Sequence, residues 1–214
     1  MKDLLDQLSD YCEAHTTPQA ATLYELERET HLKTLSPQML SGHLQGQLLA
    51  FISKIHRPKT ILEIGAFTGY AAICLAQGLQ EGGLLHTIEV NVELEYLIRK
   101  YIALAGLKDK IELHMGDALE IIPKLEGNFD LVFIDAGKQD YAAFYHLVIG
   151  RTNPGGLIIA DNVLWSGKVV AKDRAQDPDA VSLHNFNEMV QNDPRVENIM
   201  LPIRDGLLIA RRLT

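Results

Sequence analysis

The chain has 214 residues, 47% hydrophobic and 22% charged, with 20 lysines and arginines against 28 aspartates and glutamates and a formal net charge of −8. That is the balance of a globular domain long enough to bury a full core, which excludes a disordered chain, a collagen-like repeat and a disulfide scaffold. The acidic surplus speaks against sequence-independent nucleic-acid binding and against adhesion to anionic membranes, both of which need a basic surface.

The first 57 residues read as helical. Leu4, Leu5, Leu8 and Tyr11 fall at helical spacing. Pro18 stands near the start of a second segment that carries Leu23, Leu26 and, further on, Leu32 and Leu35. Ser36-Pro37 reads as an N-cap followed by proline at the first helical position. The helix it opens carries Leu44, Leu48, Leu49, Ile52 and Ile55 and stops at Pro58. The opening run Met1-Lys2-Asp3-Leu4-Leu5-Asp6 has acids where a signal peptide has cations and an apolar run. No apolar stretch reaches the ~18 residues of a membrane span. A cytoplasmic protein is expected. Cys12 and Cys74 cannot build a disulfide framework. Cys74, in the apolar run 71–76, reads as a small core residue, and Cys12 as a bystander thiol.

From residue 58 to 214 the pattern alternates, without repeat or linker, so the whole chain reads as a single domain. Apolar runs at 60–64, 84–90, 111–115, 130–135 and 156–161 predict strands. Helical patterns at 70–80, 91–105, 118–125 and 141–151 lie between them. Alternation of this kind, with strands apolar on both faces, predicts an α/β fold with a parallel sheet. The end differs: runs at 196–201 and 207–211 flank Pro202-Ile203-Arg204-Asp205-Gly206. The Asp-Gly turn predicts a hairpin whose last strand runs antiparallel.

The chemistry-bearing residues gather at the predicted strand ends. The first strand exits into Glu63-Ile64-Gly65-Ala66-Phe67-Thr68-Gly69-Tyr70. Gly65 permits a tight turn close to a ligand, and Gly69 opens the next helix. Glu89 ends the second strand, where an acid can accept from both ribose hydroxyls. Together these favour a nucleoside ligand over a purely structural turn, but the spacing is not the dinucleotide fingerprint. Glu63 either faces a cationic or hydrogen-bond-donating ligand group or is a solvated strand-end charge. Asp117 either caps the following helix or frames an adenine together with the Ala118 amide.

The fourth and fifth strands end in Phe133-Ile134-Asp135-Ala136-Gly137-Lys138 and Ala160-Asp161-Asn162-Val163-Leu164-Trp165. Asp135, Asp161 and the Asn162 amide oxygen are hard donors that suit a divalent ion such as Mg²⁺; the alternative is a pair of helix-capping acids. Lys138, three residues past Asp135, is either a general base in a water-poor pocket or a solvated cation. Trp165 either walls an aromatic substrate or packs. The eight histidines show no i,i+4 pair and no Cys/His cluster, so no zinc site is expected. A hydrolase nucleophile elbow and a phosphate-binding P-loop are both absent.

From about Thr17 to its end the chain resembles the cation-dependent S-adenosylmethionine O-methyltransferases, in the branch of the caffeoyl-CoA enzymes and their small bacterial relatives. The resemblance rests on Leu62-Glu63-Ile64-Gly65-Ala66-Phe67-Thr68-Gly69-Tyr70, on Phe133-Ile134-Asp135-Ala136-Gly137-Lys138, on Asp161-Asn162-Val163-Leu164-Trp165-Ser166-Gly167, and on Met39 with Gln45-Gly46-Gln47. It implies a Rossmann-like class I methyltransferase fold, with a seven-stranded, mostly parallel sheet, helices on both faces and extra N-terminal helices. It also implies that Ser41, Glu63, Gly65, Ala66, Glu89, Asp117, Ala118 and Asp135 contact S-adenosylmethionine. Asp135, Asp161 and Asn162 would hold Mg²⁺, with Mn²⁺ and Ca²⁺ as alternatives, and Lys138 would be the base. Trp165 and Ser166, with Lys138 and Asn162, would face an aromatic diol substrate, and the chain would pair as a homodimer. Ala71 stands at a cofactor position where the family usually has serine, Glu89 replaces the commoner aspartate, and Gly137 stands where the plant pattern has aspartate. The expected reaction is methylation of one hydroxyl of a catechol, caffeoyl or flavonoid-like diphenol. Competing readings are an NAD(P)-dependent oxidoreductase on a similar sheet and a non-catalytic S-adenosylmethionine-binding module.

Overall fold

The computed structural model describes residues 4–214. Residues 1–3 and the side chains of Leu5 and Asp6 lie outside the described residues, and with them most of the opening run and Leu5's place on the first helical face.

Three helices open the chain: α1 (Leu4–Ala14), α2 (Ala21–Lys33) and α3 (Gly42–His56). The alternating region follows as β1 (Thr60–Ile64), α4 (Tyr70–Ala76), β2 (Leu84–Glu89), α5 (Glu95–Leu104), β3 (Ile111–Met115), α6 (Ala118–Ile121), β4 (Phe129–Ile134), α7 (Tyr141–Ile149) and β5 (Thr152–Asp161). It closes with α8 (Pro178–Gln191), β6 (Val196–Leu201) and β7 (Leu207–Arg212). The seven strands form one sheet in the order β3-β2-β1-β4-β5-β7-β6. β1 to β5 pair in parallel, and β7 runs antiparallel to both β5 and β6.

Strand side chains alternate between two buried layers because the strand period is two. Ile61, Leu85, Leu131, Phe133 and Ile159 pack with Leu23, Leu26 and Leu49 of the N-terminal helices and with α4 and α5. Leu62, Ile64, Ile88, Val132, Ile134 and Ile158 pack on the other face with α7 and α8. The N-terminal helices therefore share a core with the sheet. The buried Cys74 faces α3, where the absence of a side chain on Gly46 matters: a Cβ there would lie 2.5 Å from the Tyr70 ring and 2.9 Å from the Cys74 sulfur. Among the described residues no helix is long and apolar enough to cross a membrane.

Several boundaries differ from the sequence expectation. Ser36 makes no capping hydrogen bond, and Pro37–Met39 is a single 3₁₀ turn. The helix starts only at Gly42, because Arg204, from the β6–β7 turn, holds the carbonyls of Leu40 and Ser41. Leu32 and Leu35 are exposed and belong to no buried face. The segment 91–105 begins with a 3₁₀ turn, Val92–Leu94, before α5, and α6 gives way to another at Ile122–Lys124. β5 starts at Thr152 and contains Asn153-Pro154-Gly155-Gly156, a turn-like run absorbed by a register shift against β4 between Phe129 and Leu131.

Candidate active site

Parity along the strands assembles the site. Glu63 and Glu89 occupy the same face as Ile61 and Leu85, two residues apart at each step. Asp161 follows Ile159 on that face, and Asp135 stands directly after β4. All four acids therefore gather at the C-terminal edge of the parallel strands, where open α/β sheets bind ligands.

The turn after β1 is built around Gly65. Its φ is +95°, and a Cβ there would lie 2.0 Å from the Asp135 carbonyl oxygen. The amides of Gly65 and Ala66 both donate to the Ile88 carbonyl at 3.0 Å. Gly65 thus draws the ends of β1 and β4 together, and its amide is spent on the neighbouring strand rather than aimed at a ligand. Gly65→Ala is expected to cost at least about 2 kcal/mol, from left-handed strain and a backbone collision combined. Chemical denaturation checks this, and an unchanged midpoint would mean the two strand ends have slack.

Glu89 is nearly buried, and both its oxygens are engaged. Oε2 accepts from the Phe67 amide at 2.7 Å and Oε1 from the Asn91 amide at 2.8 Å. It fixes the β1–α4 loop while still lining a cavity of about 860 Å³. That cavity is also walled by Gly65, Phe67, Asp117, Ala118 and Asp135, and by the α2–α3 connection from Lys33 to Met39. Its size falls in the range of small-molecule and cofactor sites. Asp117 does both things open to it in the sequence: its carboxylate caps α6 by accepting from the Leu119 amide at 2.8 Å, and it borders the cavity. Ser41, Ala66 and Ala71 line a narrow cleft that continues the cavity past Gly65, Phe67 and Asp135.

Glu63 is not a solvated strand-end charge. It is fully buried, accepts from the Thr87 hydroxyl opposite it in register, and leaves Oε1 without a partner among the described residues. It stands behind the walls of both cavities rather than in them. Burial, with the charges of Asp135 and Glu89 adding to it, pushes its pKa up to about 8. An acid whose pKa rises on folding holds its proton longer in the folded state. Its contribution is fully present below the usual value near 4.5 and is lost as pH climbs through about 8. The ligand-free protein should therefore lose stability across that window, with a slope from this group approaching about 1.4 kcal/mol per pH unit. Glu63→Gln should flatten it; parallel denaturation profiles for the two proteins would contradict the assignment.

Beside the cavity stands an oxygen cluster. Asp161 is buried; its Oδ2 accepts from Gln45 Nε2 at 2.6 Å and its Oδ1 from the Asn162 amide at 2.7 Å. Asn162 takes φ +57°, a conformation asparagine tolerates, and its Oδ1 accepts from Lys138 Nζ at 2.6 Å. The same ammonium donates to Asp135 Oδ1 at 3.0 Å and to the Tyr141 hydroxyl at 2.9 Å. Lys138 is therefore no solvated cation: its three donors meet three oxygens. Burial and the neighbouring Asp135 carboxylate raise the Asp161 pKa to about 6.

Trp165 and Ser166 stand outside both cavities. The Trp165 ring packs against the α7–α8 core, with Lys168 Nζ 5.9 Å from its centre. Ser166 is exposed, and its amide donates to Asp205 of the β6–β7 turn. Sequence reasoning missed Tyr141, Arg204 and the role of Gln45. Tyr141 donates to the Asp161 carbonyl at 3.0 Å, and Arg204 reaches Gln45 Oε1 at 3.4 Å. Gln45 stood in a motif, but nothing in the chain marks its partner 116 positions away.

A cofactor-sized cavity at the carboxyl edge of a sheet ordered β3-β2-β1-β4-β5-β7-β6, with an oxygen cluster at its side, is the architecture of methyltransferases. The family model described as "O-methyltransferase" matches residues 13–213, and the chain belongs to that family. Caffeoyl-CoA O-methyltransferase 1 of Eucalyptus globulus is 36% identical over 180 residues, covering 79% of this chain and 73% of that one. The O-methyltransferase from Bacillus cereus, solved in complex with SAH, superposes with a TM-score of 0.89 at 30% identity, covering 96% of this chain and 97% of that one. An SAH-bound methyltransferase of Podospora anserina gives 0.91 at 27% identity, covering 98% and 95%. The protein is thus an enzyme of methyl transfer to oxygen, which sets aside the nicotinamide oxidoreductase reading.

Proposed function

We propose that the enzyme transfers the methyl group of S-adenosylmethionine to one hydroxyl of a vicinal diphenol, in the manner of a catechol, caffeoyl or flavonoid O-methyltransferase, with a divalent cation at the oxygen cluster. The observation that carries this reading is Asp135, which both lines the cavity and belongs to the cluster. A donor bound in the cavity and an acceptor bound at the cluster would meet there. The SAH-bound neighbours and the caffeoyl-CoA relatives support the donor and the acceptor class.

The donor set fits a cation. Asp135 and Asn162 already cradle one, the Lys138 ammonium, between oxygens, and beside them the buried Asp161 carboxylate has no ion-pair partner among the described residues. Two carboxylates and an amide oxygen are hard donors that suit Mg²⁺, Mn²⁺ or Ca²⁺. S-adenosylmethionine would supply an electrophilic methyl carbon, and the ion Lewis acidity that favours a phenolate.

The chain's own residues do the rest. Glu89 would hold the ribose, and Asp117 with Ala118 would border the adenine. Ser41, Gly65, Ala66 and Ala71 would shape the methionine end, where Ala71 offers no hydroxyl. Glu63, behind the cavity walls, would reach a donor group of the ligand through its unpartnered Oε1 only if the turn at Gly65–Phe67 shifts on binding. With a divalent cation in its place between the oxygens, Lys138 would release them, give one ammonium proton to solvent and, as the neutral amine, take the hydroxyl proton at Nζ. Trp165 and Ser166, now packed aside, would close on the acceptor only through movement of their loop. Holding donor and acceptor in line is chiefly a proximity effect.

The test is a panel of catechol, a caffeoyl ester, a flavonoid and matched monophenols, assayed with S-adenosylmethionine after chelation and after Mg²⁺ is returned. Methylation confined to vicinal diols and to the Mg²⁺ arm is expected. Equal methylation of monophenols without metal would overturn both the acceptor class and the ion.

We also place the protein in the cytoplasm, in keeping with its free thiols, and propose a homodimer. Leu4, Leu8 and Tyr11 of α1 and Phe51 and Ile55 of α3 all stay exposed in the single chain. Sedimentation at micromolar concentration should give twice the chain mass; a monomer would refute the pairing.

A further inference from the structure

We infer that His86, Glu112 and His114 form a second metal site, for a divalent cation of the zinc class, on the face of the sheet opposite the four acids. β2 and β3 pair in parallel with His86 beside Glu112 and Ile88 beside His114. Ile88 belongs to the α7–α8 layer, so the three side chains share that layer's face.

Their ligand atoms all lie within 4.8 Å of one another. His86 Nδ1 is 3.1 Å from His114 Nε2 and 3.5 Å from Glu112 Oε2, and His114 Nε2 is 3.9 Å from Glu112 Oε1. A tetrahedral ion with bonds of about 2.0–2.1 Å spaces its donors roughly 3.3 Å apart. The two ring nitrogens stand within a few tenths of an ångström of that spacing, and the Glu112 carboxylate, one oxygen toward each ring, closes the remainder by turning its side chain. Adjacent strands of a hydrogen-bonded sheet hold them, which is firmer support than a loop offers.

The chemistry selects the ion. Two imidazoles and one carboxylate favour Zn²⁺, Co²⁺, Ni²⁺ or Cu²⁺ over Mg²⁺ and Ca²⁺, which take oxygen. The facing ring nitrogens share one proton as they stand. Moving that proton to the outer nitrogen of the same ring turns both lone pairs inward without changing the net charge. Burial and the neighbouring imidazole lower the pKa of His86, which favours its neutral, ligating form. The imidazoles are only 13% and 19% exposed, whereas Glu112 is 54% exposed and gives the ion a way in from solvent. Three protein ligands leave a fourth position for water. Among the described residues, the ion-pair partners of Glu112 are these two histidines. An ion there would tie the edge strand β3 to β2 just ahead of Glu89 and Asp117, bracing one end of the cavity.

The sequence hid this site. A Glu-x-His pair two residues apart faces one way only on a strand, and the second histidine is supplied by a neighbouring strand.

The test uses the full chain, freed of metal and then titrated with Zn²⁺ by calorimetry, and with Co²⁺ as a spectroscopic probe. An Asp161→Asn background removes the competing oxygen cluster. In that background one Zn²⁺ should still bind, and Co²⁺ should give tetrahedral visible absorption. His114→Gln should weaken Zn²⁺ binding by roughly 100-fold or more, since even outer-shell partners of a metal are worth 10–100-fold. Glu112→Gln, at an exposed position that cannot threaten folding, should weaken it as well. Absence of Zn²⁺ uptake in the background protein, or the same isotherm with and without His114 and Glu112, overturns the site.

Discussion

Asp161→Ala is expected to reduce metal-dependent methylation by roughly 10³-fold or more while leaving S-adenosylmethionine affinity within a few-fold of wild type. Lewis-acid stabilisation is worth several kcal/mol, and each 1.36 kcal/mol is a factor of ten in rate. Asp161 is the buried carboxylate of the oxygen cluster, and it borders neither the large cavity nor its narrow extension. Its loss therefore touches the acceptor end and spares Glu89 and Asp117. Alanine also leaves the buried Gln45 amide without its acceptor, so part of any loss could be structural. Asp161→Asn reduces the structural part, because its amide oxygen can still accept from Gln45 while the charge is gone, although its NH2 then faces the Asn162 amide. Both variants should fail in the assay with saturating Mg²⁺, and the asparagine variant should melt closer to wild type than the alanine variant does. Normal rates in either, without added metal, would remove the ion from the proposal.

Lys138→Met should lower turnover by about 10²–10⁴, the range for loss of a general base, with little change in the binding of either substrate. The geometry sharpens this test. Lys138 Nζ now donates to Asp135, Asn162 and Tyr141, so the side chain has a second job as the cation that holds these oxygens together. If the ion alone generates the phenolate, the loss should be small and raising the pH should recover it, since the phenol then ionises unaided. A base leaves a different trace: the variant's pH–rate profile loses its rising limb at all metal concentrations. Profiles of the two enzymes with Mg²⁺ saturating decide it, and superimposable curves would end the catalytic assignment.

Both tests depend on one feature of the fold. The two carboxylates reach one another because β4 and β5 are adjacent and in register, Phe133 beside Ile159 and Ile134 beside Ala160. The glycine at 65 then lets β1 approach so closely that the large cavity and the oxygen cluster share Asp135.

Much of this was readable along the chain, wherever cause and effect are close in sequence. The alternation of apolar runs and helical patterns marked five parallel strands and a terminal hairpin because strand and helix periods are local properties. The acids at 63, 89, 135 and 161 were visible as strand ends, and Lys138 stood out because it is three residues from Asp135. Other features were decided by contact between distant segments. Ser36-Pro37 has the local signature of a helix start, yet the helix begins at Gly42, where Arg204 holds the preceding carbonyls. Glu63 reads in the sequence as either a ligand-facing acid or a solvated strand-end charge, and only its place between Thr87 and Phe133 on the neighbouring strands shows it buried. Gln45 and Asp161 are 116 positions apart, and His86 meets Glu112 and His114 only across β2 and β3. Periodicity, turn chemistry and capping act over a few residues, so sequence alone determined the elements and the acids at their ends. Strand order, helix docking and register act over the whole chain, and they alone decided which side chains share a hydrogen bond or a cavity.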